Sequence, residues 1–284
     1  MNPELKTTVY SAEASSRSVL FHLGGVFRDL PQAHELGYRL FKRNLKALYR
    51  QSLLGFGWAL FPPLATAALW IFLRNNVMTM GDTGIPYPVF VLTGTILWQM
   101  FNEAMLAPLK QVTANKAMIS KINIPREGLL LSGIYEMIFN ILIKIGLLAI
   151  IYLYFGQSAS LSGLLLVPVG IFAISLTGFA IGLALTPLGM LYNDINKGLT
   201  VILPFLMYMT PVVYPKPTGG AIGLIMQINP MATLIPVTRN WFTAQPVHDM
   251  QMFWLFTTGF AVLFLFSLIV YRLAMPMIIE RIGS

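Results

Sequence analysis

The chain has 284 residues, of which 56% are hydrophobic and 11% are charged, and its mean hydropathy is +0.69. This balance excludes an ordinary soluble globular domain and predicts an integral membrane protein. The net charge is +8, and the lysines and arginines cluster beside apolar runs. This distribution is typical of the signal that orients membrane proteins, so it favours that role over nucleic-acid binding. The sequence has no cysteine and only three histidines, without ligand spacing, so we expect neither a disulfide nor a metal site.

The first predicted elements are a polar segment over residues 1–31 and an amphipathic helix over residues 32–52. The polar segment has no signal-peptide pattern, so we expect it to lie in the cytoplasm. On a helical projection the apolar arc contains Tyr38, Phe41, Leu45, Leu48 and Tyr49, and the basic arc contains Arg39, Lys42, Arg43, Lys46 and Arg50. Such a helix lies in the headgroup layer with its basic residues near lipid phosphates. The pattern fits a simple membrane anchor and a partner-binding element equally well.

Residues 53–284 contain six apolar runs that predict six transmembrane helices. The runs are Phe56–Leu73, Tyr87–Leu106, Leu129–Phe155, Leu164–Tyr192, Leu199–Val213 and Met252–Met275. Fifteen of the 19 lysines and arginines would then lie in inner segments, which predicts that both termini are cytoplasmic. The expected fold is an all-α membrane protein with six spans.

The loop over residues 108–128, between the second and third spans, is too polar to cross a membrane. It reads PLKQVTANKAMISKINIPREG and contains four basic residues. A short helix is predicted from about Leu109 to Ser120, because the residue before Pro125 disfavours a helical backbone. The loop fits an ordinary surface connection and also a docking element for a cytoplasmic partner.

Three ionisable residues fall inside predicted spans: Glu103, Glu136 and Lys144. Glu136, Asn140 and Lys144 share one helix face, but Glu136 and Lys144 are about 12 Å apart along the axis, so another helix would have to bridge them. A proton relay and a structural polar stripe both fit, and the stripe is favoured because no carboxylate ladder continues outward.

The chain is predicted not to be an enzyme. It contains no phosphate-binding G-x-x-x-x-G-K-[ST] motif, so any ATP hydrolysis would belong to another polypeptide. It also contains neither G-x-S-x-G nor a His-Glu pattern, which argues against catalysis within the membrane.

The segment over residues 217–247 predicts a re-entrant hairpin on the outer side. Its two apolar runs, Ala221–Ile228 and Met231–Phe242, are each about half a crossing in length and are separated by Asn229 and Pro230; Arg239 lies in the second. Such a hairpin points to an exit or gate. The aromatic residues predicted to line a channel or gate are Trp58, Tyr87, Phe90, Trp98, Tyr208, Tyr214, Trp241 and Phe242. Membrane-interface belts explain any single one, whereas a sugar channel would use them together.

Four stretches together resemble the membrane subunit of type-2 ABC exporters that move polysaccharides, the family of O-antigen, capsule and teichoic-acid permeases. They are YRQSLLGFGWALFPP, NKAMISKINIPRE, YNDINKG, and TPVVYP followed by NPMATLIPVTRNW, and they run in the family's order from about residue 38 to residue 242. The family often has Arg-Asp before the fifth span, whereas this chain has Asn193 and Asp194. No role of that arginine is therefore carried over.

The resemblance implies a homodimer around a channel, joined by two copies of a cytoplasmic ATP-binding subunit that holds ATP and Mg²⁺. No cofactor is expected on this chain. The residues that would couple to the ATPase are Leu109, Lys110, Val112, Asn115, Lys116, Met118, Ile119 and Lys121. The expected activity is outward movement of a lipid-linked polysaccharide across a bacterial inner membrane. Export of a small amphiphile or drug, and a membrane assembly role without transport, are the alternatives.

Overall fold

The computed structural model describes residues 19–50, 55, 57–77, 81–122, 124–157, 160–216 and 219–283. Residues 1–18 of the predicted polar N-terminal segment lie outside this range. The secondary structure of the described residues is helical throughout. The helices are α1 (Val19–Arg50), α2 (Gly57–Asn76), α3 (Tyr87–Ala114), α4 (Lys116–Ile119), α5 (Glu127–Tyr154), α6 (Leu161–Leu191), α7 (Asn193–Tyr208), α8 (Gly220–Ile228), α9 (Met231–Thr243) and α10 (Met250–Gly283).

Within the described residues, five helices are long and apolar enough to cross a membrane: α2, α3, α5, α6 and α10. They correspond to the first four predicted spans and to the last. The predicted span Leu199–Val213 has different bounds, because α7 already begins at Asn193 and ends at Tyr208. With 16 residues, α7 is about 24 Å long, shorter than the ~30 Å hydrocarbon core. The six-span topology therefore stays a prediction.

α3 and α6 form the centre of the bundle. In their most apolar stretches 78% and 56% of residues are buried, against 11% in α2 and 17% in α10, so the latter two lie at the periphery. Gly182 of α6 permits the central contact, since a Cβ there would come within 1.9 Å of the Met105 carbonyl oxygen. A residue larger than glycine cannot occupy this position without moving a helix.

The bundle has two ends, which we name by the elements found there. At the α1 end, α1 packs on the start of α5, and Arg272 of α10 pairs with Glu127 at 3.4 Å. At the hairpin end, α8 contacts α9, and α9 lies beside the start of α10, where the rings of Trp241 and Phe253 are 5.1 Å apart. The end of α7 lies near α2, since the rings of Tyr208 and Trp70 are 6.2 Å apart.

The short helix predicted from about Leu109 to Ser120 is wrong in its boundaries. α3 continues past the predicted end of the second span to Ala114, and the separate helix α4 has only 4 residues. Asn115 interrupts the helix: its backbone leaves the helical region at φ −107° and ψ 16°, and its side-chain amide donates to the Gln111 carbonyl at 2.8 Å. An asparagine that bonds the local backbone competes with continued helix.

Candidate functional site: the hub network and the strap

A network of polar side chains joins α1, α3 and α5 at the α1 end. Arg43 Nη2 donates to Asn115 Oδ1 at 2.7 Å, and Asn44 Nδ2 donates to Gln111 Oε1 at 3.1 Å. Gln111 Nε2 in turn donates to Glu136 Oε2 at 2.6 Å. We call Arg43, Asn44, Gln111, Asn115 and Glu136 the hub network. Gln111 is its centre, because this buried side chain contacts all three helices.

Lys110 completes the contacts of Glu136. Its Nζ lies 2.6 Å from Glu136 Oε1, and its side chain remains largely exposed. Both carboxylate oxygens of Glu136 are thus bonded to neighbouring residues of α3. The polar face predicted on α5 therefore meets α3, which supplies a partner for each of its charges.

Deeper in the bundle, Lys144 of α5 is fully buried and forms an ion pair with Glu103 of α3 at 2.5 Å. A cavity of about 130 Å³ lies between this pair and the hub network. Its polar lining is supplied by Glu103, Lys110, Gln111, Glu136 and Asn140. Glu136 and Lys144 do not contact each other, and each instead has a partner on α3. The arrangement agrees with the favoured interpretation of a structural polar stripe.

The residues predicted to couple to an ATPase fall into two groups. Leu109, Val112, Asn115 and Ile119 are buried within the chain, where they hold the turn between α3 and α4 in place. Lys110, Lys116 and Lys121 are exposed, and Met118 is partly exposed. Only this second group can contact another protein directly.

The face that α1 turns to the bundle overlaps in part with the apolar arc predicted by its sequence, since the Phe41 ring lies 6.1 Å from the rings of Tyr135 and Phe139 on α5. Among the α1 residues whose burial the structure describes, Ala33, Gly37 and Leu40 are buried and face the start of α5, whereas Tyr38 and Leu48 are exposed. Gly37 permits the approach, since a Cβ there would lie 2.9 Å from the Gly128 carbonyl oxygen. The remaining basic residues of the predicted arc, Arg39, Lys42, Lys46 and Arg50, are exposed.

At the hairpin end the chain leaves α7 through a non-helical segment, Met209–Tyr214, which we call the strap. Thr210, Val212 and Val213 are fully buried. A buried backbone without helix hydrogen bonds is tolerated at membrane depth only where other groups satisfy it. The strap meets this condition through side chains from three other elements.

Each backbone carbonyl from Tyr208 to Val213 accepts a hydrogen bond. The Tyr214 hydroxyl donates to the Tyr208 carbonyl, and Asn229 Nδ2 donates to the Met209 carbonyl at 3.2 Å. The Val212 amide donates to the Thr210 carbonyl at 2.7 Å. Arg239 Nη2 donates to the Pro211 and Val212 carbonyls, both at 2.9 Å. The Tyr87 hydroxyl donates to the Val213 carbonyl at 3.0 Å.

α8 and α9 are short, as the sequence predicts for the two halves of a hairpin, with 9 and 13 residues. The turn between them contains Asn229 and Pro230, and Asn229 contacts the strap through Met209 and Thr210. The pattern did not foresee that Arg239, counted only as a hairpin residue, is 3% exposed and lies over the Phe90 ring at 3.7 Å. The many aromatic residues around this isolated arginine in the sequence were the signal that could have predicted its burial.

The eight predicted channel aromatics are not brought to one surface. Tyr87, Phe90, Trp98, Trp241 and Phe242 are buried inside the chain, and Tyr214 is half-buried. Trp58 and Tyr208 are exposed. Only these last two offer their rings to a channel in this conformation.

The fold and both ends define a multi-pass membrane protein with long apolar helices, the short helix α4 at one end and the two short helices α8 and α9 at the other. A family model described as ABC-2 type transporter matches residues 36–243. The chain therefore belongs to the ABC-2 type transporter family, which confirms the resemblance found in the sequence.

Several curated proteins are similar along most of their length. The chain is 26% identical over 238 residues to the O-antigen export system permease protein RfbA of Klebsiella pneumoniae, covering 82% of this chain and 91% of the relative. It is 26% identical over 227 residues to the RfbA protein of Myxococcus xanthus, covering 79% and 86%. The polysialic acid transport protein KpsM of Escherichia coli is 20% identical over 177 residues, covering 62% and 68%.

Proposed function

We propose that this chain is the membrane subunit of an ATP-driven exporter that moves a lipid-linked polysaccharide outward across a bacterial inner membrane. The observation that carries the proposal is the family match over residues 36–243, together with relatives named for O-antigen and polysialic acid transport. Those relatives align over most of their own length, which supports a shared class of cargo. The absence of a phosphate-binding motif in the sequence supports a separate ATPase subunit.

The α1 end is proposed to be the cytoplasmic end, where two ATP-binding subunits dock. Lys116 and Lys121 are exposed there, beside the exposed Ile122. The hub network ties this surface to α1 and α5, since Asn115 at the α3–α4 turn bonds Arg43. A push on α4 would therefore be passed to three helices through bonded side chains rather than absorbed by a loose loop.

A homodimer is proposed to contact through α7. This helix leaves Val201, Ile202, Phe205 and Tyr208 exposed, each more than half, and it is short for a helix surrounded by lipid. A disulfide should form between two copies of Phe205→Cys, because the chain has no cysteine of its own. Leu265→Cys on α10 is the matched exposed control. Efficient cross-linking of the control but not of position 205 would place the contact elsewhere.

Deletion of the gene tests the function. Export predicts that lipid-linked polymer accumulates inside the cell and surface polysaccharide disappears. Loss of polymer synthesis would instead identify an assembly protein, and unchanged polymer with altered sensitivity to amphiphiles would identify a small-molecule exporter. Complementation with the intact gene must restore the surface polymer.

ATPase docking is tested by charge reversal. The double variant Lys116→Glu and Lys121→Glu should reduce co-purification of the ATPase subunit, because both lysines are exposed beside α4. Lys197→Glu, also exposed but in the first turns of α7, is the control. Equal loss in both variants would show a general effect of charge and not a docking surface.

A further inference from the structure

Arg239 is a buried cation held without a carboxylate. Among the residues that the structure describes, no acidic side chain lies within ion-pair distance of it. Its guanidinium is held by the Pro211 and Val212 carbonyls and by the face of Phe90. Carbonyl dipoles and an aromatic face stabilise a cation, but burial of charge is costly, so an apolar residue would be the simpler way to fill this space.

The surroundings of Arg239 are shaped around it. A Cβ on Gly94 of α3 would lie 2.1 Å from the Val212 carbonyl oxygen and 2.6 Å from Arg239 Nη2. Glycine therefore lets the strap and the arginine approach α3 together. One guanidinium nitrogen, Nη2, reaches both adjacent carbonyls while the flat face of the group stacks on the Phe90 ring. A lysine has no flat face to stack in this way.

Arg239 also joins elements that would otherwise move separately. It lies on α9, bonds the strap that follows α7, and stacks on α3. Asn229, at the start of α9, bonds the same strap. The strap, the α8–α9 turn and α9 thus form a closed ring of contacts, and Arg239 fixes that ring to α3.

We propose that Arg239 is the positioning residue of the exit: it holds the strap against α3 in the closed state, and the strap leaves α3 when the exit opens. The inference rests on the proposed transport function for its role, although the contact itself does not. The hydrogen bonds involved join side chains to carbonyls, so they can be exchanged for water without unwinding any helix. A strap fixed in this way opens as a unit.

The test uses a single reporter cysteine at Val213, a fully buried position in a chain without native cysteine. The protein is assayed in membrane vesicles with its ATPase subunit, and a membrane-impermeant maleimide is added from the hairpin side. Without ATP, Val213→Cys should be protected, whereas His248→Cys, which is exposed in the loop before α10, should react. Trapping the complex with ATP and vanadate should make the reporter react.

Two substitutions of Arg239 then test whether this residue holds the strap closed or only stabilises the fold. Arg239→Met should raise labelling of the reporter without ATP by at least about tenfold, the population shift expected when hydrogen bonds to a charged group are lost. Arg239→Lys, which keeps the charge but loses the flat group that stacks on the Phe90 ring, should fall between. Asn240→Leu is the matched control, because Asn240 lies next to Arg239 on α9 and donates to the Pro246 carbonyl at 2.7 Å, outside the strap.

Several results would overturn the proposal. Protection that persists in both Arg239 variants, or a reporter that never reacts in the trapped complex, shows that the strap is fixed. Equal labelling in Asn240→Leu shows a general loosening of the hairpin end. If Arg239→Met fails to fold, the comparison rests on the lysine variant, and wild-type protection there overturns the proposal. Failure of the proposed transport function is distinguishable, since it removes polysaccharide export and ATP-dependent labelling from the wild type but leaves the increase in labelling that Arg239→Met causes without ATP.

Discussion

The α1 end and the hairpin end satisfy their buried polar groups in different ways. At the α1 end, side chains bond other side chains, as Gln111 does with Asn44 and Glu136. At the hairpin end, side chains bond backbone carbonyls, as Arg239 does with Pro211 and Val212. The first arrangement fixes helices that are already complete, whereas the second replaces the hydrogen bonds that a helix would have supplied.

The difference has a mechanical consequence. Breaking the hub network leaves three intact helices that still pack through their apolar faces. Breaking the strap contacts leaves backbone carbonyls without partners, so the local conformation itself changes. The α1 end is therefore suited to transmit force between rigid elements, and the hairpin end to change shape.

The largest loss of stability is expected when the buried ion pair between Lys144 and Glu103 is broken. This pair lies deeper in the bundle than the hub network. Glu103→Leu leaves the fully buried Lys144 without its partner and should cost about 3–5 kcal/mol. The measurement is unfolding in mixed detergent and SDS micelles. The double variant Glu103→Leu with Lys144→Met should recover most of the loss. A single variant as stable as the wild type would show that Lys144 reaches another partner or water.

A smaller effect is expected from crowding the strap. Gly94→Ala puts a methyl group 2.1 Å from the Val212 carbonyl, which should cost about 1–3 kcal/mol through overpacking. Gly146→Ala on α5 is the control, because nothing lies within 4 Å of its added Cβ. That control should be neutral or slightly stabilising. Equal stability of the two variants would contradict the close approach of strap and α3.

Removal of the hub centre should cost a similar or slightly smaller amount. Gln111→Leu fills the same volume but leaves Asn44 and Glu136 each without one partner, a loss of about 1–3 kcal/mol. Lys110→Met removes the exposed partner of the same Glu136 and should cost at most about 1 kcal/mol. The measurement is thermal unfolding. If Gln111→Leu and Lys110→Met lost equal stability, the burial of Gln111 would not make its contacts stronger than the exposed contact of Lys110.

The smallest effect is expected from a single strap contact. Tyr87→Phe removes the hydroxyl that donates to the Val213 carbonyl and should lower the free energy of unfolding by about 1 kcal/mol. The carbonyls of Met209, Thr210, Pro211 and Val212 keep their hydrogen-bond donors, so the fold should persist. Reactivity of the reporter Val213→Cys should rise modestly. A loss as large as that of Gly94→Ala would show that the strap depends on this one bond.

Much of the helix order followed from apolar periodicity and run length. The long runs predicted α2, α3, α5, α6 and α10, because about 20 apolar residues have few stable states other than a crossing helix. The half-length runs around Asn229 and Pro230 likewise predicted α8 and α9. The predicted fifth span, Leu199–Val213, corresponds only in part to α7, which begins at Asn193 and ends at Tyr208.

Pairing of the polar residues did not follow from the sequence. Glu136 and Lys144 share a helix face, yet their partners are Lys110, Gln111 and Glu103 on another helix. Spacing along one helix reports which residues share a face, but the partner of each residue depends on how neighbouring helices are rotated and shifted. The same limit explains why the buried face of α1 overlaps with its most apolar arc only in part.

The sequence by itself determined that the chain is a membrane protein with long apolar helices, a basic amphipathic N-terminal helix and two short helices around Asn229 and Pro230, because hydrophobicity and proline placement act locally. The tertiary structure alone decided that Arg239 satisfies the carbonyls of the strap and that Gly94 makes room for both. Those contacts join residues far apart in the chain, and their physical origin is the need to satisfy a backbone that has left its helix inside an apolar interior.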